Sequence, residues 1–176
     1  MTTLGFERGS SATTGHRRFE LELDLITERA KQNGSIEDAR VRQRLAKAYS
    51  KVQIMRFSGL RSLTYALHKR GNVVGLGATN KMFWSEYHRE VMELAMDVWG
   101  MERQILTGVP GAPSWPGQVR HGGGADYPVS PMQSAFFCSR SETIWGGTAE
   151  VQRSIVGECV LGLPKEPKPG GTGNKV

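Results

Sequence analysis

An apolar-periodic segment runs to Ile144-Trp145, two glycines interrupt it, and a second such segment restarts behind Thr148 with Val151, Ile155 and Cys159 before a Gly162-Leu163-Pro164 ending. No other stretch limits the fold so tightly, because the pattern demands a helix, a break and another helix. Gly146 and Gly147 are poor helix interiors that accept positive φ without a Cβ clash, and Thr148 is a good N-cap for the second segment. Such a turn aims free backbone N–H groups outward at a helix start, where a carbonyl oxygen or a cofactor hydroxyl can bind. A plain helix–turn–helix joint uses the same three residues, and on these alone it is the simpler reading.

The rest of the chain supplies the helices this joint needs. Met1 to about Gly34 reads as one long helix, with Phe19, Leu23, Ile26 and Ala30 forming a buried stripe and Asn33-Gly34 a C-terminal stop. A second helix is expected behind Ser35 as N-cap, with Glu37 and Asp38 in its first turn. Its stripe is Val41, Leu45, Ala48, Val52, Met55 and Gly59, and it runs to about His68. Arg70 to Gly77 reads as a turn from its glycines and asparagine. A third helix carries Phe83, Tyr87, Val91, Leu94, Val98 and Met101. Thr107 to Val129 is dense in glycine and proline and reads as irregular, and a fourth helix starts at Ser130-Pro131. Four amphipathic helices predict an all-α, up-down four-helix bundle over residues 1–164, with 165–176 as a flexible tail.

Composition narrows the function classes. A chain of 176 residues can bury a real core as one domain. The net charge of +6 invites a nucleic-acid reading. However, Glu20, Glu22, Asp24 and Glu28 interleave with Arg17, Arg18, Arg29 and Lys31, which predicts a solvated helical surface and no nucleic-acid partner. No apolar run reaches the ~18 residues of a membrane span, and no signal-peptide core is present. Cys138 and Cys159 form no CxxC pair and read as reduced thiols, so a soluble cytoplasmic protein is expected. There is no Walker loop, zinc spacing or Ser/His/Asp constellation, and His121 has no ligand set around it, so no metal is expected.

The string IWGGTAEVQRSIVGECVLGLP, from Ile144 to Pro164, resembles the C-terminal signature of acyl-CoA dehydrogenases: an aromatic residue, a variable residue, G-T-x-E/Q, then a trailing L-G-L-P. A second match lies in TLGFERG near the N-terminus. There the isovaleryl-CoA and long-chain branches of that family carry their catalytic base as a glutamate in an E-R motif. Most other branches place the base immediately before the G-T, where this chain has Gly146. The resemblance therefore implies Glu7 as the base; from spacing alone Glu7 is an exposed first-turn glutamate.

The same resemblance implies the remaining site. Family enzymes remove the α-proton of an acyl-CoA thioester while the β-hydride moves to FAD, giving a 2-enoyl-CoA. The thioester carbonyl is polarised by a flavin ribityl hydroxyl and by the backbone N–H at the position of Gly146. Arg8 and Gly147 match residues lining the thioester site. Arg29 matches an arginine that reaches the FAD of a neighbouring subunit, and Asp97, Trp99 and Gly100 match the segment at the FAD adenine half, where only the glycine is retained. Thr148 and Glu150 match the pair near the flavin. Implied partners are an acyl-CoA substrate, electron-transfer flavoprotein as electron acceptor, and either a homo-oligomer (dimer or tetramer) or a second dehydrogenase subunit. The family's N-terminal helical and middle β domains have no counterpart here, so the chain reads as a fragment, an internal start or a split-gene product. The alternative is a non-catalytic helical assembly subunit.

Overall fold

The computed structural model describes residues 14–68, 73–105 and 130–165. These hold five α-helices and no strand: α1 (His16–Gln32), α2 (Ala39–Leu67), α3 (Val73–Trp99), α4 (Pro131–Glu142) and the short α5 (Ala149–Ile155). The sequence readings at residues 1–13, 106–129 and 166–176 lie outside the described residues.

Cross-helix pairs give the topology. Asn33 at the end of α1 donates to the Val98 carbonyl at the end of α3, so these two run parallel. On α2, Arg44 pairs with Asp97 and Lys51 with Glu90; on α4, Gln133 donates to the Arg103 carbonyl and Arg140 pairs with Glu93. Both α2 and α4 are therefore antiparallel to α3, as an up-down bundle requires. Helix α3 packs against all the others.

The periodic stripes are the core. Phe19, Leu23, Ile26 and Ala30 meet Leu45, Ala48, Val52 and Met55 from α2 and Tyr87, Val91, Leu94 and Val98 from α3. Ile26 and Val52 are fully buried. Each such side chain contributes roughly 1.5–3 kcal/mol by leaving water.

Four local readings change. Ser35 does not cap α2: residues Ser35–Glu37 form a 3-10 turn, and Asp38 is the cap, accepting from the Arg40 N–H. Arg70 to Gly77 is not a turn throughout, because α3 already begins at Val73. A side chain at Gly75 would lie 2.9 Å from a Val160 methyl, so close packing rather than chain reversal selects the glycine. The helix before the double glycine ends at Glu142, two residues earlier than the apolar pattern suggests. Finally, α5 is phased differently: Val151 and Cys159 are exposed, and the inward residue is Gln152. The chain then passes into a π-helical turn, Val156–Val160, closed by the Leu161 N–H on the Val156 carbonyl.

Candidate functional site

Helix α4 is anchored firmly at its start. Ser130 accepts from the Gln133 N–H while the Gln133 side chain returns to the Ser130 N–H, a reciprocal capping box, and Pro131 occupies the first turn. After Glu142 the chain turns through Ile144 and Trp145, both of which donate to the Ser141 carbonyl and are largely exposed. Gly146 (φ +66°) and Gly147 (φ +100°) then take left-handed geometry. Thr148 caps α5, its hydroxyl accepting from the Val151 N–H at 3.4 Å.

Two buried side chains hold this turn, and sequence reasoning identified neither. Gln152 Nε2 donates to the Gly146 carbonyl at 2.7 Å, and Lys81 Nζ donates to the Gly147 carbonyl at 2.8 Å. Gln152 is 0% and Lys81 5% exposed. The available signal was a polar residue at the position where α5 must face α3. Beside the turn a shallow depression of about 320 Å³ is lined by Ser85, Arg89, Thr148, Glu150 and Arg153, among others.

The predicted residues fall into two groups. Gly146, Gly147, Thr148 and Glu150 gather at this turn, with Glu150 turned to solvent. Its carboxyl is held below the usual range by its own backbone N–H and the Thr148 hydroxyl, against a small opposing effect of burial. Arg29, Trp99 and Gly100 gather at the far end, where the Arg29 guanidinium lies 5.9 Å over the Trp99 ring and pairs with Glu102. Gly100 (φ +57°) ends α3 there. Asp97 sits on the adjoining face, bound to Arg44 at 2.6 Å and Arg103 at 3.1 Å. Lys81 and Trp99 are both on α3, so about 27 Å of helix separates the two groups. Glu7 and Arg8 lie outside the described residues.

Between these ends is a cluster the sequence did not reveal. Arg18 and Glu22 read as solvated surface charges, yet Glu22 is fully buried. Arg18 donates to Glu22 and to Glu142, each at 3.1 Å. His88, 0% exposed, presents Nδ1 to Glu142 and Nε2 to Glu22, the latter at 3.2 Å. Both ring nitrogens face carboxylate oxygens, which favours the imidazolium, while the Arg18 guanidinium, 3.2 Å from Nδ1 and 3.3 Å from Nε2, opposes it. Burial pushes the His88 pKa down, but its contacts with Glu142 and Glu22 outweigh that and hold it above the ordinary value. Burial likewise raises Glu142, and the His88 and Arg18 contacts more than reverse it, leaving it below the carboxylate norm. Two cations and two anions thus pin α1, α3 and α4 together just before the turn. Among the described residues no group of His, Cys, Asp and Glu is arranged to hold a metal, and no helix is long and apolar enough to cross a membrane.

Residues 1–161 match the family model for the acyl-CoA dehydrogenase C-terminal domain. The chain is 34% identical over 168 residues to acyl-CoA dehydrogenase IpdE1 of Mycolicibacterium smegmatis and 32% identical to the protein of the same name from Mycobacterium tuberculosis. Those alignments cover 96% of this chain but 37% and 38% of the relatives, so the chain spans less than two-fifths of their length. Among solved structures, the Tcur3481-Tcur3483 steroid ACAD superposes with a TM-score of 0.71 at 22% identity, over 94% of this chain and 39% of that one. A variant of it gives 0.68 at 23% identity, over 93% and 39%. At that identity the likeness is one of fold, and it agrees with the helical bundle described above. With its family model matched over nearly its whole length, the chain belongs to the acyl-CoA dehydrogenase family, as that family's C-terminal helical domain.

Proposed function

We propose that this domain supplies the base and the carbonyl-polarising turn for flavin-dependent α,β-dehydrogenation of an acyl-CoA thioester, completed by domains that the relatives possess and this chain does not span. The observation that carries the reading is the open double-glycine turn at 146–147, built on a chain whose residues 1–161 match the family.

Two features fit FAD at the far group. Arg29 Nε is buried with no hydrogen-bond partner, and a Cβ at Gly100 would meet nothing within 4 Å, so a ligand can approach the backbone there. Arg29, Trp99 and Gly100 would hold one portion of FAD, and Thr148 and Glu150 another; with the two groups at opposite ends of α3, these portions would belong to cofactors of different sites in an oligomer. Bound FAD would accept the β-hydride. Glu7 would take the α-proton, and the Gly146 N–H would donate to the thioester oxygen as negative charge develops on it. Gly147 would leave room for the thioester, and Arg8 would line it.

Electron-transfer flavoprotein would be the electron acceptor of such an enzyme, in the cytoplasmic setting expected from the reduced cysteines. The oligomer, whether of this chain or with a second dehydrogenase subunit, is favoured by apolar side chains left outside the bundle: Tyr49, Phe57, Leu60 and Leu67 on α2 are all largely exposed. The same surface supports a second reading, a non-catalytic assembly subunit. Stopped-flow flavin bleaching separates the two. In the complete FAD-containing assembly, Glu7→Gln is expected to keep flavin and ligand binding and to slow reduction at least ~100-fold. Near-normal reduction would leave Glu7 a surface charge and favour the assembly role. The isolated chain is expected to bind FAD weakly and to turn over nothing.

A further inference from the structure

Left-handed geometry at two successive glycines is adopted easily and lost as easily, since glycine has many alternatives. A turn that must present backbone donors in one direction therefore needs an external constraint. Here the constraint comes from two side chains on different helices, Lys81 of α3 and Gln152 of α5, each buried and each donating to the carbonyl of one of the two glycines. A trans peptide carries its C=O and its following N–H on opposite sides. With the Gly146 and Gly147 carbonyls drawn inward, the N–H groups of Gly147 and Thr148 are turned away from the bundle interior. The Lys81 contact involves a charged donor, shorter and stronger than a neutral one, and it polarises the peptide that ends in the Thr148 N–H.

We infer that Lys81 and Gln152 are positioning residues: from behind the turn they fix the direction of the Gly147 and Thr148 backbone donors, which adjoin the Gly146 N–H, and hence the orientation of the flavin and thioester groups that would dock at this turn. This rests on the function proposed above but concerns residues to which that reading gives no role. Neither side chain touches substrate in it.

The test has one arm on the chain itself and one on the complete enzyme. In the 15N-labelled chain, Gly146 and Gly147 are expected to show backbone order parameters near the rigid value of about 0.85, falling below about 0.6 in Lys81→Met and in Gln152→Leu. The order parameters of Ile26 and Val52 should stay unchanged. Lys81→Arg, which keeps a buried cationic donor, should retain at least half of the difference. Mobile glycines in the unsubstituted chain, or rigid ones in both variants, would overturn the inference. If a variant loses its fold, the Ile26 and Val52 signals collapse with the rest, and the milder Gln152→Glu then decides by the same measure. In the complete enzyme, Lys81→Met should slow flavin reduction at saturating substrate at least tenfold while FAD content and substrate affinity change less than threefold. An unsubstituted enzyme that never reduces its flavin refutes the proposed function; one that reduces it equally fast with and without Lys81 refutes the clamp.

Discussion

Replacing His88 by leucine removes one of the two cations that both buried carboxylates face. In the native cluster Arg18 and His88 stand against Glu22 and Glu142, and the charges sum to zero. Without the imidazolium, two carboxylates with side chains 1% and 4% exposed are left to share one guanidinium. Stripping one partner from a buried ion pair costs about 3–5 kcal/mol, a large part of the roughly 5–15 kcal/mol that holds a domain together. At a urea dependence of about 2 kcal/mol/M, the midpoint should fall by about 2 M. Urea melts at pH 6, followed by circular dichroism at 222 nm, measure it. The double variant His88→Leu/Glu142→Leu should recover about half of the loss, since it strands one carboxylate fewer. The same charge balance fixes the pH profile. His88 titrates above its ordinary 6.5, so its contribution is complete below pH 6.5 and is lost as pH rises through the raised folded value. Glu142 titrates below 4.5, so its contribution is complete above pH 4.5 and is lost as pH falls through the depressed folded value. A midpoint shift under about 0.5 M, or an alkaline decline of equal size in His88→Leu, would refute the charged-cluster account.

Three further outcomes are expected. Gly146→Glu, which would restore the base position used by other branches of the family, should recover less than tenfold of the flavin-reduction rate lost in Glu7→Gln. A side chain there is held at φ +66° at a cost of about 1–3 kcal/mol, and its Cβ would start 4.0 Å from Lys81 Cε, where the new carboxylate would pair with the ammonium rather than serve as a free base; stopped-flow bleaching checks it. Gly75→Ala should destabilise by about 1–3 kcal/mol because its methyl would press on Val160, and Gly75→Ala/Val160→Ala should recover most of that in urea melts. Thr148→Ala should cost about 1 kcal/mol by uncapping α5, and Thr148→Ser almost nothing, by thermal melting.

The core was legible because its residues obey a single rule. Phe19, Leu23, Ile26 and Ala30 are apolar, spaced for one helix face, and all buried. Capping was legible at Ser130 and Thr148, but not at the start of α2, where Asp38 rather than Ser35 is the cap. The readings failed where a residue acts through a partner distant in sequence. Gly75 looked like punctuation because Val160, which needs the space, is 85 positions away. Gln152 went unremarked because apolar periodicity gives no weight to a buried amide, although that amide holds the turn. Arg18 and Glu22 looked solvated until His88 and Glu142 arrived from two other helices. At the candidate site the glycines and their N-cap were readable, and the two side chains that restrain them were not.

The π turn at Val156–Val160 acts as a change of phase. A helix that takes in one extra residue per loop rotates everything beyond it by about 100° relative to an unbroken α-helix. That phase decides which side chain beyond the turn meets Gly75, and here it is Val160. Deleting a single residue such as Glu158 would close the loop to ordinary pitch and swing the following side chains off their targets. At this end of the molecule the number of residues matters more than their identity.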